Sequence, residues 1–218
     1  MKITISKENY LKAVAEAESE GETVIAATLA RWLQVSAPAV TMAIKRLKRD
    51  GLILVETEGH ILLTPAGREI STRIINRHHL IERMLTEIFG MEWYKVHDEA
   101  EQLEHAVSAE FERCLNEKLG ENLDCPHGNR MDMATPAARR QRGLVPLDEI
   151  QTGATAQVVS VFERDRQLLE YLHGLGIHPG SSLTLTARNY DDTLTLSIAG
   201  KSVPLGRAAA SKVWAQSR

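Results

Sequence analysis

The sequence predicts a mainly α-helical protein with a small amount of β structure, arranged in three successive units. Helical patterns separated by a short turn open the chain and are followed by a β-prone hairpin. Two long helical patterns occupy the middle, and short strand patterns fill the last third. We therefore expect domains at residues 1–72, 73–140 and 141–218, a division that a chain of 218 residues accommodates.

The first unit opens with three predicted helices, at residues 6–20, 24–33 and 37–51. Apolar residues recur at helical spacing in the first and third of them, which is the pattern of a helix with one buried face. Ser6 and Ser36 stand at the starts of these two helices, where a hydroxyl side chain serves as an N-cap. Two β-prone runs around a glycine-containing turn follow and predict a hairpin.

Helix, short turn, helix and hairpin together predict a winged helix-turn-helix. In this motif the N-terminal part of the second of the two helices contacts base edges in the major groove. The alternative for the charged helix is a solvated face in a bundle, but the turn and the hairpin stand where the DNA-binding motif needs them. Near the start of the helix lie Thr41 and Met42, and the basic cluster further along is Lys45, Arg46, Lys48 and Arg49.

Two long helical patterns, at residues 66–90 and 94–120, predict a helical middle unit. Each pattern carries imidazole and carboxylate side chains at spacings that place them on one helix face. Such groups are costly at a half-buried face without a partner, and a single divalent ion can serve several carboxylates at once. The residues are His78 and Glu82 on the first pattern, and His97, Glu101, Glu104 and His105 on the second.

The alternative for these residues is a solvated helix surface with His–Glu pairs four residues apart. Two such sets on neighbouring helices, followed by Cys125 and His127, favour a metal site. The set offers hard carboxylate oxygens, intermediate imidazole nitrogens and a single thiol, which suits Mn(II) or Fe(II) better than a structural zinc site. Nearby apolar residues are candidates for a dimer interface or for ordinary core: Met84, Leu85, Ile88, Phe89 and Trp93.

The last third of the chain predicts a small β domain. Residues 121–150 contain proline, glycine, asparagine and a basic stretch, and we expect an irregular linker there. Strand patterns follow at 154–162, 182–189 and 192–200, with a helix at 166–176. Together they predict a barrel of SH3-like size.

The composition agrees with a cytoplasmic protein. Hydrophobic residues make up 43% and charged residues 25% of the chain, which is ordinary for a globular protein. No apolar run suggests a membrane span or a signal peptide. The two cysteines suit a reducing compartment. The net charge of −3 argues neither for nor against nucleic acid, because a DNA reader needs only a local basic face.

Several segments resemble one family across essentially the whole chain. Residues 96–105 (VHDEAEQLEH) and 77–83 (RHHLIER) are similar to the diphtheria toxin repressor and manganese transport regulator family of metal-dependent repressors. Residues 36–40 match the start of that family's recognition helix, which adds Ala37, Pro38 and Ala39 to the candidate DNA contacts. Residues 125–128 (CPHG) look like the streptococcal-type, manganese-responsive branch. Residues 172–180 resemble the SH3-like domain shared with ferrous-iron transport accessory proteins.

The resemblance implies two metal sites in each subunit. The first site would use Asn9, Glu101, Glu104 and His105, and the second would use Glu82, Cys125, His127 and Glu163. At the second site, His78 and His97 would also be ligands, as in the iron-type branch, or would orient the carboxylates.

Three residues depart from the family's patterns. Asn9 stands where relatives carry aspartate or methionine, and a neutral amide oxygen is a weaker ligand. Glu101 stands where the iron-type branch has cysteine, which favours manganese. Met42 stands where that branch often has glutamine, so base reading there would rest on apolar contact, for example with a thymine methyl group.

The resemblance implies a repressor that binds palindromic operator DNA as a homodimer when loaded with Mn(II), with Fe(II) as the alternative, and that controls metal-uptake or homeostasis genes. Ser36, Pro38, Thr41 and Met42 would meet base edges. A metal-dependent hydrolase using the same histidines and glutamates, or a metal-storage or delivery protein, would leave the basic helix unexplained. We therefore expect no enzymatic activity.

Overall fold

The computed structural model describes residues 3–120, 124–130 and 132–217. These residues form a helical N-terminal half and a C-terminal half rich in strands. The helices are α1 (Ile5–Ser19), α2 (Ala26–Leu33), α3 (Ala37–Arg49), α4 (Pro65–Arg83), α5 (Val96–Leu103), α6 (Ala109–Leu119), α7 (Pro136–Gln141), α8 (Arg166–Gly174) and α9 (Arg207–Ala210). The strands are β1 (Ile53–Val55), β2 (Ile61–Leu63), β3 (Leu144–Pro146), β4 (Thr155–Val161), β5 (Ser182–Arg188), β6 (Leu194–Ile198), β7 (Lys201–Leu205) and β8 (Val213–Ser217).

The first unit is the predicted winged helix-turn-helix. Helices α1 to α3 and the β1–β2 hairpin enclose one apolar core that includes Leu11, Leu29 and Leu47. Gln34 adopts a left-handed conformation, with φ of 53°, and so turns the chain between α2 and α3. The expected N-cap at Ser6 was wrong: α1 begins at Ile5, and the N-cap position belongs to Thr4.

The middle unit departs from the prediction of two long helices. Helix α4 runs on into a π-helical turn at Met84–Ile88, but the second pattern divides into α5 and α6. The break has a local cause, because the Ser108 hydroxyl accepts a hydrogen bond from the Phe111 amide and caps a new helix. His105 consequently lies beyond the end of α5, in the turn between the two helices.

The third unit is an SH3-like domain with a six-stranded antiparallel sheet in the order β3-β8-β4-β5-β6-β7. Helix α8 packs Leu169 and Leu172 into its core. The expected linker at 121–150 is more regular than predicted, because it contains α7 and β3. Residues 121–123 and 131 of that stretch lie outside the described residues.

The segments that carry the predicted metal-binding residues connect the three units. The Val161 amide at the end of β4 donates to the carbonyl of His127, which fixes the 125–129 turn against the sheet. The loop 162–165 between β4 and α8 carries Glu163 and Arg164 back toward the helices. Within the described residues, no helix is both long enough and apolar enough to cross a membrane.

Candidate metal centre and DNA-binding face

Glu82 on α4 lies at the centre of a buried cluster of histidines. Its side chain is fully buried, and its Oε1 lies 3.0 Å from His78 Nε2, 3.2 Å from His97 Nδ1 and 3.4 Å from His127 Nδ1. His78 belongs to the same helix, His97 to α5 and His127 to the 125–129 turn. Three chain segments therefore present nitrogen donors to one carboxylate.

Glu163 brings a second carboxylate to this cluster from the third domain. Its Oε2 accepts hydrogen bonds from Cys125 Sγ at 3.4 Å and from Asn129 Nδ2 at 2.7 Å. The same oxygen lies 3.5 Å from His127 Nδ1, and the other oxygen, Oε1, lies 4.0 Å from His97 Nδ1. The residues proposed for the second site thus come together in the structure, with side chains from the middle and C-terminal domains.

Two compact sets of possible ligands share Glu82 and Glu163. In each set one ligand atom per residue lies within 4.8 Å of all the others. Sequence reasoning missed His79, although it stands three residues before Glu82, a spacing at which two side chains of a helix are neighbours. One set is His78, Glu82, His97 and Glu163, and the other is His79, Glu82, Cys125 and Glu163.

The charges in the cluster compensate one another in the absence of metal. Burial alone would raise the pKa of Glu82, but His127 and His78 outweigh it and hold that pKa well below its usual value. Burial and Glu82 oppose ionisation of Glu163, yet His79, His97 and His127 lower its pKa to about 2. Burial and the two carboxylates raise the pKa of the Cys125 thiol well above its usual value.

Within the described part of the chain, three buried polar atoms of the cluster have no hydrogen-bond partner: Glu82 Oε2, His79 Nδ1 and His127 Nε2. A buried carboxylate oxygen or imidazole nitrogen without a partner is costly. Imidazole nitrogen, carboxylate oxygen and one thiol form a donor set that suits a divalent transition metal. The cluster therefore fits a metal ion by the chemistry of its donors and by these unsatisfied atoms.

Three of the four residues proposed for the first site line a cavity of about 360 Å³ between α1 and the end of α5, and His105 is not among its lining residues. Asn9, Glu101 and Glu104 contribute to its wall, and Asn9 Oδ1 is buried with no hydrogen-bond partner among the described residues. His105 Nε2 lies 3.5 Å from Glu104 Oε1, while His105 Nδ1 lies 2.9 Å from Glu8 Oε2. In the part of the chain that the structure describes, Glu101, Glu104 and His105 do not form a compact ligand set like the two sets around Glu82. The unsatisfied amide oxygen and the two carboxylates in the cavity wall nevertheless offer oxygen donors to a cation.

Two cations of the chain, both missed by sequence reasoning, share this cavity. Lys12 Nζ donates to Glu104 Oε2 at 2.7 Å, and Arg164 Nη1 donates to Glu101 Oε1 at 3.2 Å. The only sequence signal for Lys12 is its place one helical turn after Asn9 on α1. Arg164 comes from the third domain, and the sequence does not indicate that contact.

His78 connects the two proposed sites. Its Nδ1 lies 2.6 Å from Glu104 Oε2, and its Nε2 lies 3.0 Å from Glu82 Oε1. Burial and Lys12 oppose a positive charge on this imidazole, but the two carboxylates outweigh them and raise the pKa of His78 to about 9. The two carboxylates therefore favour the doubly protonated, positively charged form of this ring.

The proposed DNA-binding residues are all exposed and lie on α3 or, for Ser36, at its N-cap position. Val40 and Leu47 are buried in the domain core, whereas Met42 is 50% exposed. Lys48 and the other cationic residues project from the C-terminal half of the helix. The exposed set is Ser36, Ala37, Pro38, Ala39, Thr41, Met42, Lys45, Arg46, Lys48 and Arg49.

A winged helix-turn-helix with an exposed basic helix, joined to buried clusters of metal-type ligands, defines a metal-responsive DNA-binding protein. Residues 2–61 match the family model of the iron dependent repressor, N-terminal DNA binding domain, and residues 64–132 match its metal binding and dimerisation domain. Residues 145–217 match the FeoA domain. The chain belongs to the iron-dependent repressor family, so the resemblance seen in the sequence is confirmed.

Curated relatives and solved structures agree with this assignment. The chain is 34% identical to the diphtheria toxin repressor of Corynebacterium diphtheriae, over 91% of either chain. It is 33% identical to the iron-dependent repressor IdeR of Mycobacterium tuberculosis, over 77% of this chain and 73% of that protein.

Among solved structures, it is similar to a manganese-dependent transcriptional repressor in complex with manganese. The TM-score is 0.86 at 31% identity, covering 97% of this chain and 100% of that one. It is also similar to the manganese regulator SloR, with a TM-score of 0.79 at 28% identity, covering 97% and 98%.

Proposed function

We propose that this chain is a transcriptional repressor that binds palindromic operator DNA as a homodimer when loaded with Mn(II), with Fe(II) as the alternative metal. The observation that carries the proposal is the cluster around Glu82 and Glu163, in which ligand-type side chains from two domains meet with unsatisfied buried atoms. The family assignment supports metal dependence and DNA binding together. The regulated genes would be those of metal uptake or homeostasis.

The donors support manganese ahead of iron. Asn9, Glu101 and Glu104 offer oxygen atoms and His105 an imidazole at the first site, which suits a hard divalent ion. The relatives divide between the two metals, since the iron-dependent repressor IdeR matches in sequence and a manganese-dependent repressor matches in structure. Metal bound at these sites would supply positive charge in place of protons on the buried imidazoles.

Coupling between metal and DNA would run through α1. The first site joins Asn9 on α1 to Glu101 and Glu104 at the end of α5, so an occupied site would hold the DNA-binding domain in one position. The fixed position would set the spacing of the two recognition helices in the dimer, which must match two half-sites of the operator. Because coupling is reciprocal, operator DNA should tighten metal binding by the same factor.

The dimer interface would lie beside the π-helical turn. Met84 and Leu85 are buried in the core of the middle domain, whereas Ile88 and Phe89 are 39% and 67% exposed. The last two offer an apolar face to a second subunit. Trp93 instead packs toward the third domain, where its Nε1 donates to His173 Nδ1 at 3.2 Å.

We also propose the domain boundaries at residues 72/73 and 140/141, although α4 runs without interruption across the first of them. No hydrolytic role is proposed, because the relatives are repressors. A protein that binds operator DNA would act in the cytoplasm of a bacterium.

A gel-shift titration tests the proposal. The full chain would be titrated against the DNA of its own promoter with Mn(II), anaerobic Fe(II), Zn(II) or chelator. We expect a shift with Mn(II) or Fe(II) that chelator reverses. The Glu82→Gln variant should lose most of the metal response, whereas Glu69→Gln, at an exposed position of the same helix, should keep it. Binding that is unaffected by metal would refute the metal switch, and no binding in any condition would refute the repressor.

A further inference from the structure

Lys12 is a buried cation in the place where the first metal site is proposed. The side chain lies on α1 and is 3% exposed. Its Nζ donates to Glu104 Oε2 at 2.7 Å and lies 3.9 Å from Glu101 Oε1 and 3.9 Å from Glu16 Oε1. It also lies 3.0 Å from His78 Nδ1. An ammonium group this far from water is stable only because carboxylates surround it.

Two of these carboxylates belong to the proposed ligand set of the first site. A divalent ion held by Glu101 and Glu104 would therefore share its ligands with a unit positive charge a few ångström away. Like charges at such separations repel strongly in a buried environment, where screening by water is weak. The lysine and the ion thus compete for the same negative charge.

We propose that Lys12 sets the affinity of the first metal site: its ammonium group holds Glu104 and Glu101 in the metal-free chain and thereby weakens the binding of divalent ions there. This inference rests on the proposed function, because it assumes that the site binds metal. A residue that is not itself a ligand would then set the Mn(II) concentration at which the first site fills. A lysine with a purely structural role would stabilise the fold and leave metal affinity unchanged.

Replacing Lys12 with methionine separates these two roles. Lys12→Met keeps a long apolar stem and removes the charge, so we expect Mn(II) to bind the first site about 10- to 100-fold more tightly. The metal-free variant should melt at a lower temperature, since Glu104 and Glu16 lose a buried partner. Added Mn(II) should raise its melting temperature more than it raises that of the unmodified chain.

The matched control is Lys7→Met. Lys7 lies on the same helix and its Nζ is also 2.7 Å from a carboxylate oxygen, Asp50 Oδ2, which belongs to neither proposed ligand set. This variant should lose some stability and bind Mn(II) as the unmodified chain does. If Lys12→Met does not fold, Lys12→Gln removes the same charge while keeping a polar end, and the same tightening is expected.

The measurement is a titration of the full chain with Mn(II) alone, in which electron paramagnetic resonance reports the free ion. Tightening in the Lys12 variants, and not in Lys7→Met, supports the inference. If the unmodified chain binds Mn(II) and neither Lys12 variant binds it more tightly, the inference fails and the proposed function stands. If no form of the chain binds divalent metal, the proposed function and the inference fail together.

Discussion

Arg164 is expected to hold the third domain against the DNA-binding domain. Its Nη1 donates to Glu16 Oε2 on α1 at 2.6 Å and to Glu101 Oε1 on α5 at 3.2 Å. The guanidinium also lies over the ring of Trp32, with 5.1 Å between its carbon and the ring centroid. One side chain of the third domain therefore contacts both other domains.

The magnitude of its contribution follows from these contacts. A hydrogen bond between charged groups contributes about 1.5–3 kcal/mol, and a cation–π contact about 0.5–1 kcal/mol at a partly exposed site. The bond to Glu16 is short and well buried, whereas the one to Glu101 is longer and reaches a half-exposed carboxylate. Lys12 remains 3.9 Å from Glu16 and would offset part of a loss. We therefore expect Arg164→Met to lower the free energy of unfolding by about 3 kcal/mol.

Urea unfolding in the presence of chelator measures this change without a contribution from bound metal. Hydrogen exchange then shows which part of the chain is destabilised. The amides of α1 and α2 should exchange faster in the variant, because the third domain is held less firmly against the DNA-binding domain. The matched control is Arg166→Met, two residues further on. Arg166 pairs with Asp98 and Glu170 at the surface, where such pairs contribute about 0–1 kcal/mol.

Equal losses of stability in the two variants, with unchanged exchange in α1 and α2, would refute this reasoning. That result would mean that the contacts between the domains rest on other residues. A large loss confined to the amides of the third domain would also contradict the expectation. It would show that Arg164 stabilises its own domain and not the docking.

Three further predictions address the pH dependence, the turn at the second site and base reading. The pKa of His78 is raised from 6.5 to about 9. The protonated ring therefore contributes fully to the free energy of unfolding below pH 6.5, and this contribution is lost as pH rises through 9. Urea unfolding of the metal-free chain should show a loss of up to about 3 kcal/mol over that interval, and a flat profile would contradict it. Gly128→Ala should cost at least about 2 kcal/mol in the same assay, because a Cβ there would lie 1.9 Å from the Val159 carbonyl oxygen. Gly153→Ala, where φ is also positive but nothing lies within 4 Å, should cost clearly less. Met42→Gln should change the preference at one operator base pair by about 1–3 kcal/mol in a binding assay against a library of sequences; an unchanged preference would place Met42 away from base edges.

Much of the fold follows from patterns within single segments. The winged helix-turn-helix was predictable because its turn, buried faces and hairpin lie within about sixty residues of one another. The division of the second long pattern into α5 and α6 was not, since the residues around it keep helical spacing and only the cap at Ser108 shows the break. Strand β7 contains Pro204, which cannot donate a ladder hydrogen bond and is tolerated because β7 lies at the edge of the sheet.

The candidate metal site was also predictable only in part: contacts within one helix leave a pattern in the sequence, and contacts between domains do not. Histidines and glutamates at helical spacing on α4 and α5 indicate a ligand face without any knowledge of the fold. His79 lies on the same helix as His78 and Glu82, but whether its ring reaches the cluster depends on the position of Glu163 in another domain. Lys12 pairs with Glu104 across 92 residues. A pairing at that separation leaves no periodic signal in one sequence.

The adjacent residues Glu163 and Arg164 would give the third domain a role beyond the supply of one proposed ligand. Glu163 faces the second site and Arg164 reaches the carboxylates beside the first. A metal ion that repositions Glu163 must therefore act on a backbone that also carries Arg164, and through Arg164 on α1. Since free-energy coupling between two sites is reciprocal, occupation of the first site should in turn alter metal affinity at the second. Substituting Arg164 should weaken that coupling while leaving the ligands of the second site in place.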